Sequence, residues 1–101
     1  MDEADVVVFR RWKGGDVIAL FPELPADMSG VYVNAYEHVG QHGGANYHAV
    51  IHQTKPCSTD QAADLANELT RIGYRLKPIE RANRRHHDRR RQIASDLRQT
   101  L

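Results

Sequence analysis

At 101 residues, with 41% apolar and 27% charged side chains, the chain has the size and composition of one globular domain that hides roughly two-thirds of its unfolded surface, which excludes wholesale disorder. A single cysteine, Cys57, excludes an internal disulfide, a zinc ribbon and a dithiol redox pair. The net charge of +1 hides an imbalance: residues 1–80 carry 7 basic against 11 acidic side chains, whereas residues 81–101 carry 7 arginines against Asp88 and Asp96.

The acidic start, Met1-Asp2-Glu3-Ala4-Asp5, lacks the basic and apolar layout of a secretory signal, and no apolar run approaches the roughly 18 residues of a membrane span. The expectation is a cytoplasmic protein with no membrane partner. Residues 6–13 and 16–21 are β-rich runs separated by Gly14-Gly15, which predicts a hairpin with a two-residue turn. That turn places Trp12 opposite Val17 and Phe9 opposite Leu20, with Val7, Phe9, Ile18 and Leu20 on the core face and Arg10, Trp12, Val17 and Ala19 on the other. Pro22 and Pro25 end the second run, since each lacks the N–H that a ladder needs.

Residues 31–38 and 47–53 are rich in β-branched and aromatic side chains and predict a second hairpin across the loop holding Gly40, Gly43 and Gly44. Ser58 with Gln61 forms a capping-box pattern, and Ala62, Leu65, Ala66, Leu69 and Ile72 fall on one stripe, so a helix is predicted over 59–72 with Gly73 as its stop. Residues 74–79 alternate as a short strand, which Pro78 confines to an edge or to the strand's end. The last helix has apolar residues only in its second half, at Ile93, Ala94, Leu97 and Leu101. The predicted architecture is α+β: an antiparallel sheet of about four to five strands in ββββαβα order, one packed amphipathic helix, and a basic C-terminal helix. Residues 1–80 form the core and 81–101 the basic helix of the same domain.

Two groups of residues stand out as candidate sites. Arg81, Arg84, Arg85, Arg89, Arg90 and Arg91 have the charge density of a helix that neutralises successive phosphates, or that meets an acidic protein surface. The bland alternative is a solvated helix paired with the acidic body of the same protein. His38, His42, Gly43 and Gly44 form the second group, in which polar side chains are mixed with glycines that let a ligand approach the backbone. It matches neither a dinucleotide fingerprint nor a P-loop. His48 and His52 align if residues 47–53 are a strand, yet no metal-ligand spacing is present, so no metal is assigned and no cofactor is expected. His38 and His42, with Glu37, Tyr36 or Tyr47, are the acid–base candidates for a small nuclease or metal-assisted hydrolase, and a Cys57–His pairing is a second possibility, although Cys57 lies just before a helix start, where even an inert thiol has a lowered pKa. Neither set is a motif, so no catalytic residue is assigned and a non-enzyme is favoured.

The strings Val17–Asp27, His38–Ala45 and Ile72-Gly73-Tyr74 resemble a group of small bacterial proteins found among accessory and mobile genes. The resemblance spans most of the chain. It implies no activity, cofactor or catalytic residue, and points toward a small accessory binding protein. Three functions are consistent with the sequence. The first is a noncatalytic binding module contacting nucleic acid or an acidic partner through the arginine-rich helix. The second is a protein–protein inhibitor or adaptor of a mobile element, using the acidic body or an exposed sheet face around Trp12, Tyr32 and Tyr36. The third is the histidine-based hydrolase. Oligomeric state is left open.

Overall fold

A computed structural model describes residues 4–37 and 41–100. The elements in chain order are β1 (Asp5–Arg11), β2 (Val17–Pro25), β3 (Val33–Glu37), β4 (Gln41–Ala45), α1 (Tyr47–Gln53), β5 (Lys55–Pro56), α2 (Thr59–Arg71), β6 (Leu76–Ile79) and α3 (Arg84–Gln99). The strands form one sheet in the order β4-β3-β2-β1-β5, with β6 pairing parallel to β1 beside β5 and every other pair antiparallel. This is the α+β fold that the sequence predicts, with a short β5 and a third helix, α1, added. No described helix is long and apolar enough to cross a membrane.

The first hairpin forms with a different turn. Gly15 N–H donates to the Trp12 carbonyl at 2.9 Å, Trp12 N–H donates to the Asp16 carbonyl at 2.8 Å, and Gly15 sits at φ +100°. The loop is therefore three residues, Lys13-Gly14-Gly15, closed by a glycine in the left-handed region that only glycine adopts without strain. One extra loop residue shifts the register, so Val8 faces Leu20, Phe9 faces Ala19 and Arg10 faces Ile18. The expected faces are recombined accordingly. Val8, Ile18 and Leu20 pack with Val33, Tyr47, Val50 and Ile51 in one core, and Trp12 joins its margin. Val7, Ala19, Phe21 and Tyr36 pack with Leu65 and Leu69 of α2 in another. Both faces of the sheet are covered, and this is why Val6-Val7-Val8 and Ile18-Ala19-Leu20-Phe21 are unbroken apolar runs with every residue buried.

The fourth strand is not where β-propensity places it. Residues 47–53 form α1, because the Asn46 side chain accepts from Ala49 N–H at 3.0 Å and Tyr47, Val50 and Ile51 are buried at i, i+3 and i+4. Helical spacing and a cap outweigh β-branched composition in this segment. The strand lies in the glycine segment instead, with Gly43 opposite Ala35 and Gly44 opposite Asn34. A Cβ on Gly44 would stand 2.9 Å from the Ala26 Cβ, so the strand closes under the β2–β3 loop only with glycine there.

Helix α2 begins as predicted. Ser58 Oγ accepts from Gln61 N–H at 3.1 Å, and Gln61 Oε1 accepts from Ser58 N–H at 3.0 Å. Ala62, Leu65 and Leu69 are buried, whereas Ile72 caps the helix and is exposed. Replacing Ser58 with alanine leaves the Gln61 N–H without its side-chain acceptor and is expected to destabilise the fold by about 1 kcal/mol in urea unfolding, with an unchanged m-value. Strand β6 runs along β1, with Pro78 opposite Val7 on the outer side of the pair.

Candidate functional site

Helix α3 starts at Asn83, whose side chain accepts from Arg85 N–H at 3.0 Å and from His86 N–H at 3.4 Å, while His86 Nδ1 accepts from Asn83 N–H at 2.9 Å. A histidine here completes the reciprocal cap usually made by Glu or Gln. The helix packs on β2 and the β2–β3 loop through His87, Arg90 and Ala94, all buried. Gly30, at φ +74°, permits this approach, since a Cβ there would lie 3.0 Å from the Ala94 Cβ. The docking face is therefore built largely of polar residues in the first half of the helix, where the sequence shows no apolar stripe.

Arg90 is only 4% exposed. Its Nε donates to the Gly30 carbonyl at 2.9 Å, and one terminal nitrogen donates to the Pro22 carbonyl at 2.7 Å and to His87 Nδ1 at 2.7 Å. Burial, then the neighbouring Arg91, pulls its pKa below the usual arginine value. The His87 ring packs edge-on to Tyr47 with centroids 4.9 Å apart and beside His48 at 5.3 Å. Burial first, then Arg90, His48, Arg91 and His86, lowers its pKa to about 4. At neutral pH this ring is uncharged, with Nδ1 accepting from Arg90 and the ring proton on Nε2.

The remaining arginines face outward. The Arg84 and Arg91 guanidinium groups share the Asp88 carboxylate at 3.8 and 3.2 Å, with the arginine side chains 94% and 64% exposed. Such solvated pairs contribute about 0.5 kcal/mol and leave both arginines free to exchange partners. Arg81, Arg85 and Arg89 are exposed, and Arg98 donates to the Met28 carbonyl. Of the six arginines singled out in the sequence, five thus lie on the surface beside or along α3, and Arg90 is part of the framework that holds it.

The second predicted group divides. His38 lies outside the described residues. His42, on the edge strand β4, has Nε2 3.2 Å from the Tyr74 hydroxyl and packs edge-on to Tyr36 at 4.5 Å. Burial, then the nearby Asp5 and Tyr36, raises the Tyr74 pKa. Such a phenol holds its proton more firmly than usual and is a weaker acid than an exposed tyrosine. Glu37 and Tyr47, the other acid–base candidates, are hydrogen-bonded to other groups. Glu37 Oε1 accepts from the Trp12 indole N–H at 3.2 Å, and the Tyr47 hydroxyl accepts from Ala82 N–H at 2.7 Å. Gly43 and Gly44 serve the sheet and the loop that crosses it.

Cys57 lies beside a cleft lined by Phe9, Ala62, Pro78 and Ile79, where burial raises its thiol pKa against the opposing pull of Arg11. The helix start does not activate it. Among the described residues no three His, Cys, Asp or Glu side chains lie close enough to hold one metal ion. Tyr36, proposed for an exposed sheet face, is 2% exposed, while Tyr32 remains at the surface.

A further cluster was not legible in the sequence. The Arg10 side chain, buried on the α1 side of the sheet, donates to Thr54 Oγ1 at 2.9 Å and to the Ile51 and Thr54 carbonyls at 3.1 and 2.8 Å. It closes the C-terminal end of α1, and its pKa is lowered by burial first and then by Arg81. No known protein family, curated protein or solved structure matches the chain.

Proposed function

We propose that the chain is a noncatalytic binding module whose C-terminal helix contacts the phosphate backbone of nucleic acid. The observation that supports this reading is the division of labour on α3: His87, Arg90 and Ala94 anchor it, and Arg84, Arg85, Arg89 and Arg91, with Arg81 ahead of the helix, are left outward on a held support. Cations displayed at successive turns release counterions when phosphates replace water, and their contribution is sequence-independent and steep in salt. An acidic protein surface would be met by the same side chains, but with fewer charges neutralised and a shallower salt dependence.

Removing the helix would strip the cover from Pro22, Gly30 and Tyr47, so the test is substitution on its outer face. Arg84, Arg85, Arg89 and Arg91 together replaced by glutamine should leave the thermal midpoint within a few degrees. Duplex DNA and single-stranded RNA binding, followed by anisotropy across salt concentrations, should lose about three to four from the log–log slope on duplex. Equal affinity of the wild-type and substituted chains for both nucleic acids would remove this function and leave an acidic protein as the partner to seek.

A further inference from the structure

Two neighbouring hollows share Trp12 and Gln53 in their walls. The first, about 370 Å³, lies between α1 and the β3–β4 edge. Its wall is small, with Ala35, Gly43 and Ala45 on the sheet and Ala49 on the helix, and a Cβ on Gly43 would meet no atom within 4 Å. At its rim stands Glu37, one carboxylate oxygen held by the Trp12 indole N–H. The second hollow, about 340 Å³, is lined by Arg11, Lys13, His52 and Lys55.

The second hollow is electrostatically unbalanced. The β1–β5 register sets Arg11 directly opposite Lys55, a like-charge cross-strand pair that is unfavourable by itself. None of these four residues makes an ion pair among the described residues. The Arg11 Nε is in addition buried with no hydrogen-bond acceptor among the described residues, and an uncompensated buried donor is costly.

We propose that the two neighbouring hollows together bind a guanine nucleotide, with its phosphate among Arg11, Lys13 and Lys55 and its base beside Trp12. The carboxylate of Glu37 is an acceptor only. Guanine presents two adjacent donors, N1–H and the N2 amino group, whereas adenine sets a ring acceptor next to its amino donor and would turn a lone pair toward the carboxylate. An indole beside the base offers stacking area. No residue of α3 lines either hollow, so the site stands apart from the phosphate-binding face proposed above.

Trp12 is the chain's sole tryptophan, so its emission reports on the site directly. Titrating the full chain with GMP should give saturable quenching, and guanosine and AMP should each need at least about tenfold higher concentration, one charge-assisted contact set apiece. Glu37→Gln should abolish the preference for GMP over AMP. Lys13→Gln with Lys55→Gln should weaken GMP to the level of guanosine while leaving guanosine unchanged. The α3 glutamine variant should bind GMP like the wild type, which separates failure of this site from failure of the helix. A guanine-containing single-stranded pentanucleotide distinguishes the two sources of the ligand: binding at least about tenfold tighter than GMP identifies a unit within a strand, and equal or weaker binding identifies a free nucleotide. Absence of saturable binding by both emission and calorimetry, or GMP, AMP and inorganic phosphate binding alike, would overturn the proposal.

Discussion

Arg90→Met is expected to lower folding stability by about 3 kcal/mol, whereas Arg85→Met, on the solvent side of the same helix, changes it by less than about 0.5 kcal/mol. Arg90 satisfies the Pro22 and Gly30 carbonyls and the His87 ring nitrogen in one planar group. Methionine fills much of the same volume but leaves these acceptors buried without donors, each costing about 1–3 kcal/mol. Relief of the guanidinium's own desolvation offsets part of the loss, which keeps the net figure below the sum. Arg90→Lys should fall between the two, since an ammonium group cannot reproduce the planar fork. Urea unfolding of the three variants checks this order. A stability for Arg90→Met within about 1 kcal/mol of wild type would mean that the guanidinium does not fasten α3.

The second large effect is acid sensitivity. The folded chain holds His87 neutral with a pKa of about 4, below the ordinary 6.5 of the unfolded chain. The unfolded chain therefore binds this proton first as pH falls. The contribution of His87 is fully present above pH 6.5, declines as pH falls toward about 4, and is flat below that. A shift of this size corresponds to about 2–3 kcal/mol once partial solvent access is allowed for. Protonation would place a cation against the Arg90 nitrogen 2.7 Å away and remove the lone pair that accepts from it. His87→Gln retains an acceptor without the titration, so the difference in stability between the two chains should shrink steadily from neutral pH to pH about 4. A constant difference across that range would show that His87 titrates alike in the folded and unfolded states.

Much of the fold is legible in local chemistry. Ser58 and Gln61 announce α2, Gly15 announces a hairpin, and Pro78 places β6 at the outside of the sheet. Two errors share one physical cause, a competition between local signals that only tertiary contacts decide. Residues 47–53 satisfy β-propensity and also helical spacing, and Asn46 as a cap is the signal that favours the helix. Gly14-Gly15 satisfies a two-residue turn and also a three-residue one, and the choice exchanges the two faces of β1 relative to β2. With both faces buried, neither register exposes an apolar residue, so alternation carries no information there.

The candidate sites were less legible because burial is not written beside the residue. Nothing in the run Arg89-Arg90-Arg91 marks its middle member as structural. That role arises from Gly30 and Pro22, some sixty positions earlier in the chain. Likewise Arg11, Lys13, His52 and Lys55 become one surface only through the pairing of β1 with β5 and the placement of α1.

The parallel pairing of β6 with β1 joins Asp5 to Leu76 and Val8 to Ile79. During synthesis the first strand must therefore wait, with one side unpaired, until the ribosome has delivered the segment that completes it. Contacts this distant in sequence slow folding, because the loop must close before any of them is rewarded. Until then Val6, Val7 and Val8 are an exposed, β-forming apolar stretch of the kind that chaperones shelter in nascent chains.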